Sequence, residues 1–173
     1  MPRRALPSVS PRIAEADAAW SGRAEGSSGG RARVGGIRHV VALLRGELSE
    51  EPLSVAARWR LMRALYFEGE YAAAGGKDAK RLFVEGTRVA DECLALLRTR
   101  ASEGSSRDLS RATPVELVPR LAGDPDAAPA FEWGGVVWGM YALAEGMLAA
   151  ARGGAAGRIR DLAEAVLRLD PGL

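Results

Sequence analysis

Histidine and cysteine each occur once in the 173 residues. A single cysteine, Cys93, cannot close a disulfide within the chain, so no oxidising compartment is implied. It falls in an apolar stripe with no histidine near it in sequence, which reads as a buried structural thiol and not as a nucleophile. The lone histidine, His39, lacks the companion ligands or nucleophile of a site and reads as a surface residue on the polar side of a helix. The acidic pairs Glu50-Glu51 and Asp91-Glu92 are adjacent, so their side chains point to different helix faces and form no metal cluster. The glycine pairs lack both the Lys-Ser/Thr of a phosphate loop and the strand of a dinucleotide fingerprint. No enzyme, metal site or cofactor is expected.

Long apolar runs are also scarce. Residues 133–151 come nearest, with Glu145 as their only charge and Gly135-x-x-x-Gly139 inside them, and about 19 residues would just span a bilayer. Gly and Ala dominate the run, Glu145 would be costly in lipid, and no basic flank precedes it, so a buried helix is expected and no membrane span. The start, MPRRALPSVSPRIAEADAAW, is positive but has no apolar core after it, and no lipidation cysteine lies near. As given the chain reads as cytoplasmic; a longer natural N-terminus would make it periplasmic.

What is present is ordinary for one soluble domain with a sizeable core: 47% hydrophobic and 27% charged residues. Of the 24 basic residues only Lys77 and Lys80 are lysine, and the net charge is +2. Arg in an Ala- and Gly-rich chain looks like the coding bias of a GC-rich genome. The seven Arg within residues 1–38 read as a solvated basic arm, and no nucleic-acid partner is expected.

The spacing of apolar residues predicts an all-α chain; no useful strand-like alternation occurs. Residues 1–12, with three prolines, form an irregular tail, and 13–173 a single domain. Helices are expected over 13–25, over 37–48 (stripe Ile37, Val40, Val41, Leu44, Leu48) and over 54–71 with Ser54 as N-cap. This third stretch, SVAARWRLMRALYFEGEY, carries aromatics on more than one side and so needs neighbours on more than one side. A fourth helix is expected from an Asp78 cap to about residue 100, a fifth over 127–151 broken near Gly146, and a sixth over 158–169 with Ile159, Leu162, Ala163, Val166 and Leu167 as its apolar face. The insert 101–126, with a short helical turn at 115–121, is long enough to be either functional or mobile.

The six helices fall into three pairs, about 13–52, 54–100 and 127–171. Each first helix carries an aromatic (Trp20; Trp59 with Tyr66; Trp133 with Trp138), and two second helices close with LSEEP and VLRLDP. With Gly69-Glu70-Tyr71 at a turn, the pattern resembles the tetratricopeptide repeat. Trp20 with Ala24, Met62 with Leu65, and Phe131 with Gly135 and Trp138 fit the large and small positions of first helices. Gly86 and Cys93 fit the small positions of a second helix, and Arg98 stands where a closing proline is expected. WRLMRALYFEGEY, KRLFVEGTRVADECLALL, AFEWGGVVWGMYALAEG and AVLRLDP resemble, more narrowly, the T components of TRAP transporters and the regulator of microtubule dynamics proteins, over about residues 54–171. That resemblance implies antiparallel helical hairpins stacked as a short tetratricopeptide-like solenoid. It also implies further helices in a longer, untruncated array.

In such a solenoid the first helices line a concave groove. By that analogy Trp59, Arg63 and Tyr66 face it from the second unit, and Glu132, Val136 and Met140 from the third. An aromatic-plus-Arg mixture suits a hot spot, although Trp59 reads equally well as packing between units. The expected function is therefore a non-enzymatic module holding a protein or peptide partner, or a small ligand, in its groove. The alternatives are a T-component-like protein passing an apolar or anionic ligand to a partner, and a structural element that forms homo-oligomers through an exposed terminal helix.

Overall fold

The computed structural model describes residues 10–146 and 152–172. Among these there are seven α-helices, one π-helical turn and no strand. The all-α expectation holds at that level.

Helix α1 (Pro11–Ser21) begins where Ser10 accepts a bond from the Ile13 amide at 3.2 Å and Pro11 takes the first turn. It is shorter than expected: the Gly22 amide turns back to Ala19 O, leaving Ala24 in the following turn and not below Trp20. Gly29 (φ 56°) and Gly30 (φ 76°) then make a two-residue reversal closed by reciprocal Ser28–Arg31 backbone bonds of 3.0 Å. Two consecutive positive φ angles require glycine there.

Helix α2 (Val34–Glu50) buries Ile37, Val40, Val41 and Leu44 of the expected stripe, leaves its last member Leu48 half-buried, and buries Glu47, 4.0 Å from the Arg12 guanidinium. Helix α3 (Val55–Phe67) is capped by Ser54, whose hydroxyl accepts from the Ala57 amide at 3.1 Å. Val55, Ala57, Leu61, Met62 and Leu65 are buried on more than one side of it. The chain then widens into the π turn Glu68–Ala72. Helix α4 (Gly76–Ser102) starts two residues before the expected Asp78 cap. Backbone from Gly75 supplies the start, because the Asp78 and Ala79 amides bond to Gly75 O; the Asp78 carboxylate pairs instead with Arg81.

The insert is not bare loop. It contains α5 (Pro114–Leu121), begun by a Thr113–Glu116 capping box. Leu117 and Leu121 are buried, and Arg120 donates to Ala101 O and Glu103 O. Helix α6 (Ala127–Glu145) stops at Gly146, whose φ of 91° leaves the helical region, and residues 147–151 of the expected fifth helix lie outside the described residues. Glu145 pairs with Lys80 at 3.0 Å, and among the described residues no helix is long and apolar enough to cross a membrane. Helix α7 (Ala155–Leu169) buries Ala155, Leu162, Ala165 and Val166. Its inward face is therefore rotated from the expected one: Ala163 and Leu167 are exposed, because α5 and α6 cover the side on which Ala165 lies.

Side-chain meetings give the helix directions. Gly69 meets Phe83 while Arg58 faces Glu92, so α3 and α4 run antiparallel. Gly86 meets Val137 and Ala90 meets Gly134, which sets α6 antiparallel to α4; Leu162 against Gly134 with Arg158 over Trp138 sets α7 antiparallel to α6. Helices α1, α3 and α6 share one direction, since Asp17 meets Arg60 while Trp20 meets Phe67, and Asp126 meets Trp59 while Tyr66 meets Trp133. One apolar cluster runs through all of them, from Ile13 to Val166.

Candidate functional site

The three co-directional helices α1, α3 and α6, with the π turn, gather six of the chain's ten aromatic rings: Trp20, Trp59, Tyr66, Phe67, Tyr71 and Trp133. Trp20 packs edge-on against Phe67 with centroids 5.6 Å apart, Phe67 lies 5.0 Å from Tyr71, and Tyr66 lies 5.8 Å from Trp133. Onto these rings the sequence places guanidiniums at one-turn spacings. Arg60 and Arg63, three apart on α3, straddle Trp59, with Arg60 at 4.0 Å and Arg63 at 5.2 Å from its ring. Arg63 also lies 4.1 Å over Trp20, and Arg23, from the turn after α1, covers the same ring at 4.1 Å. Such contacts contribute about 0.5–2 kcal/mol each, more as they are desolvated.

The electrostatics are unbalanced. Asp17 is bonded to two of these three cations, and Arg23, which donates to Trp20 O at 3.1 Å, has no carboxylate partner among the described residues. Arg60 Nε reaches both Asp17 oxygens, at 2.9 and 3.0 Å, and Arg63 reaches one at 3.2 Å. The Nε atoms of Arg23 and Arg63 are buried without a hydrogen-bond partner. Burial pulls the pKa of Arg63 below its ordinary value; Asp17 opposes the shift, and the neighbouring charges of Arg60 and Arg23 add to it. Two guanidiniums sharing one carboxylate, with a third beside them that has none, leave a surplus of positive charge on half-buried aromatic walls. Chemically, that is an arrangement for accepting an anion.

Of the groove residues expected from sequence, Trp59, Arg63 and Tyr66 lie among these rings. Arg63 belongs to the cation cluster. Trp59 is half-buried and its indole N–H donates to the Asp126 carboxylate at 3.0 Å, tying α3 to the start of α6. Tyr66 is half-buried between Trp133 and Tyr71, and its phenol is pushed up to about 12, first by hydrogen bonding to Tyr71 and then by burial. Glu132, Val136 and Met140 form a one-turn row on α6, exposed at Glu132 and half-buried at the other two; no hydrogen bond or ion pair among the described residues joins this row to the cation cluster. Reading by sequence missed Asp17, Arg23 and Arg60. The available signal was Asp17 one turn before Trp20, on the face that the aromatic marks.

His39 is exposed, 3.7 Å from Glu15. Cys93 is buried, and burial pushes its thiol up to about 12. Among the described residues no three His, Cys, Asp or Glu side chains gather as a metal site would require. Comparison of the chain with protein-family models, with curated proteins and with solved structures gives no match.

Proposed function

We propose that the chain is a non-enzymatic recognition module, built as a short stack of tetratricopeptide-like helical hairpins, whose α1–α3–α6 side holds an acidic segment of a protein or peptide partner. The stacking part of this reading is supported by the antiparallel neighbours α3/α4 and α6/α7 and by the common direction of α1, α3 and α6. The recognition part is carried by one observation: Arg23, Arg60 and Arg63 lie over Trp20 and Trp59, and one carboxylate, Asp17, is bonded to Arg60 and Arg63 while none among the described residues is bonded to Arg23. A carboxylate from outside would relieve their mutual repulsion, and the aromatic walls would exclude water from the pairs it forms.

The test is a titration of a Glu-rich peptide and its Gln counterpart, followed by intrinsic tryptophan fluorescence. The Glu peptide binds more tightly, and Arg63→Gln, with helicity by circular dichroism unchanged, weakens it by about tenfold. Equal affinity of the variant and the parent for the Glu peptide dismisses the assignment of this face.

A further inference from the structure

A second feature lies on the other side of α6, away from the cation cluster, and stands independently of the reading above. Helices α4, α6 and α7, with the start of α5, line a pocket of about 290 Å³ that is open to solvent on one side. Its room comes from small residues at the facing positions of two helices: Ala90 and Cys93 on α4, Ala130 and Gly134 on α6. Its inner wall is apolar, made by Leu94, Leu97, Phe131 and Leu162, three of which are buried. An apolar cavity of about 150 Å³ takes benzene, so one about twice that size suits a molecule of about ten to twelve non-hydrogen atoms.

The mouth is charged, and its charges are not equally committed. Asp91 is paired with Arg158, whose guanidinium also lies 4.6 Å from the Trp138 ring. Asp161 is bonded to Arg160 at 3.2 Å. Arg98 alone among these rim groups has no carboxylate partner among the described residues. One of its five N–H donors, on Nε, goes to Ala112 O at 2.9 Å. The insert thereby fixes the guanidinium at the edge of the cavity and leaves its other donors free. A partly open pocket with an apolar inner wall and one oriented guanidinium without a carboxylate partner at its polar rim has the two halves that an amphiphilic anion requires.

We infer that this cavity is a binding site for a small apolar carboxylic acid, bound as its anion, with the tail among Leu97, Phe131 and Leu162 and the carboxylate on Arg98. The carboxylate forms a charge-assisted pair with the fixed guanidinium, and the tail leaves water. A matched alcohol keeps only the tail contribution. A matched amine would meet Arg98 with like charge.

The experiment uses octanoate, octanol and octylamine, titrated into the full chain by calorimetry. Octanoate binds about tenfold more tightly than octanol, and octylamine more weakly than either. Arg98→Gln removes the advantage of octanoate and leaves octanol unchanged, whereas Cys93→Leu, which fills the pocket, weakens both. In the unaltered chain, saturating octanoate slows modification of Cys93 by methyl methanethiosulfonate, because the thiol lines the same pocket; this arm stands even where Cys93→Leu does not fold. Absence of octanoate binding in the millimolar range overturns the inference. So does unchanged affinity in Arg98→Gln, a modification rate indifferent to octanoate, or a preference for octylamine, which would make Asp161 the reader and a cation the ligand.

Discussion

Gly69 lies directly against the ring of Phe83: a Cβ built on it would stand 2.5 Å from Cε1 and 2.8 Å from Cζ. Phe83 is buried at the start of α4 and has little freedom to retreat. The π turn that carries Gly69 is where α3 gives way to the link with α4, so this contact sets how closely the two helices converge. Gly69→Ala should therefore destabilise the fold by about 1–3 kcal/mol through overpacking, read as a lower midpoint in urea. Adding Phe83→Leu to Gly69→Ala should recover part of that loss, a positive coupling in the double-mutant cycle. Gly134→Ala is the contrast. Its Cβ would meet Leu162 at 3.6 Å and Ala90 at 3.8 Å, ordinary contact distances, and α6 would gain helix propensity. That variant should be neutral or more stable by up to about 1 kcal/mol.

These two glycines also mark how far the sequence is legible. Helices α2 and α3 are readable because one local pattern, an apolar stripe or a Ser cap, determines each. The start of α4 was misplaced because Asp78 is a good cap by type, while the helix is begun by backbone carbonyls that any residue at 75 could offer. The wider turn at 68–72 answers to a ring 14 residues away, beyond any local pattern. The same holds for the cation cluster. Asp17 meets Arg60 and Arg63 across 43 and 46 residues, and in a chain where arginine is so abundant nothing local singles those two out. Arg63 was found through an analogy of position, and Arg23 and Arg60 were not found at all.

Asp17 should be the residue on which the cation cluster depends. Replacing it by Asn leaves Arg60 and Arg63 half-buried with no carboxylate and with their mutual repulsion uncompensated. A loss of about 1–3 kcal/mol is expected, and the loss should shrink when Arg63→Gln is added, since the second change removes one of the stranded charges. Sulfate should raise the melting temperature of Asp17→Asn more than that of the parent, because an anion can occupy the place the side chain has left. Equal responses to sulfate in the two proteins would show that the cluster needs no anion.

The insert helix α5 should be separable from the rest in its dynamics. Its first turn is held by the Thr113–Glu116 box, in which the Thr113 amide bonds Glu116 at 2.8 Å, and that bond holds the Glu116 carboxyl below its ordinary range. Thr113→Ala should cost about 1 kcal/mol and speed amide exchange in Pro114–Leu121 while leaving α2 and α3 protected. Lowering the pH through the depressed Glu116 value should loosen the same segment in the parent, because protonation favours the state in which the carboxyl is not bonded. Uniform exchange across all helices in Thr113→Ala would mean that α5 unfolds only with the whole domain.

Cys93 gives the alkaline limit of the fold. Its thiol is raised from 9.0 to about 12, by burial first and against the attraction of Arg58 and Arg100. The folded chain thus holds the proton more firmly than the unfolded chain does. The stability from this preference is complete below pH 9 and is lost as pH rises toward 12, where the folded thiol also ionises. Tyr66, raised from 10.0 to about 12, acts in the same direction over the upper part of that window. At pH 8 the native protein should then react with Ellman's reagent far more slowly than the urea-unfolded chain, since thiolate is the reactive form and burial suppresses it. Between pH 9 and 12 the fall of the urea midpoint should be shallower in Cys93→Ala than in the parent, whatever its starting stability, and shallower again with Tyr66→Phe added. Parallel curves for all three proteins would place the alkaline transition on other groups and remove Cys93 from the account.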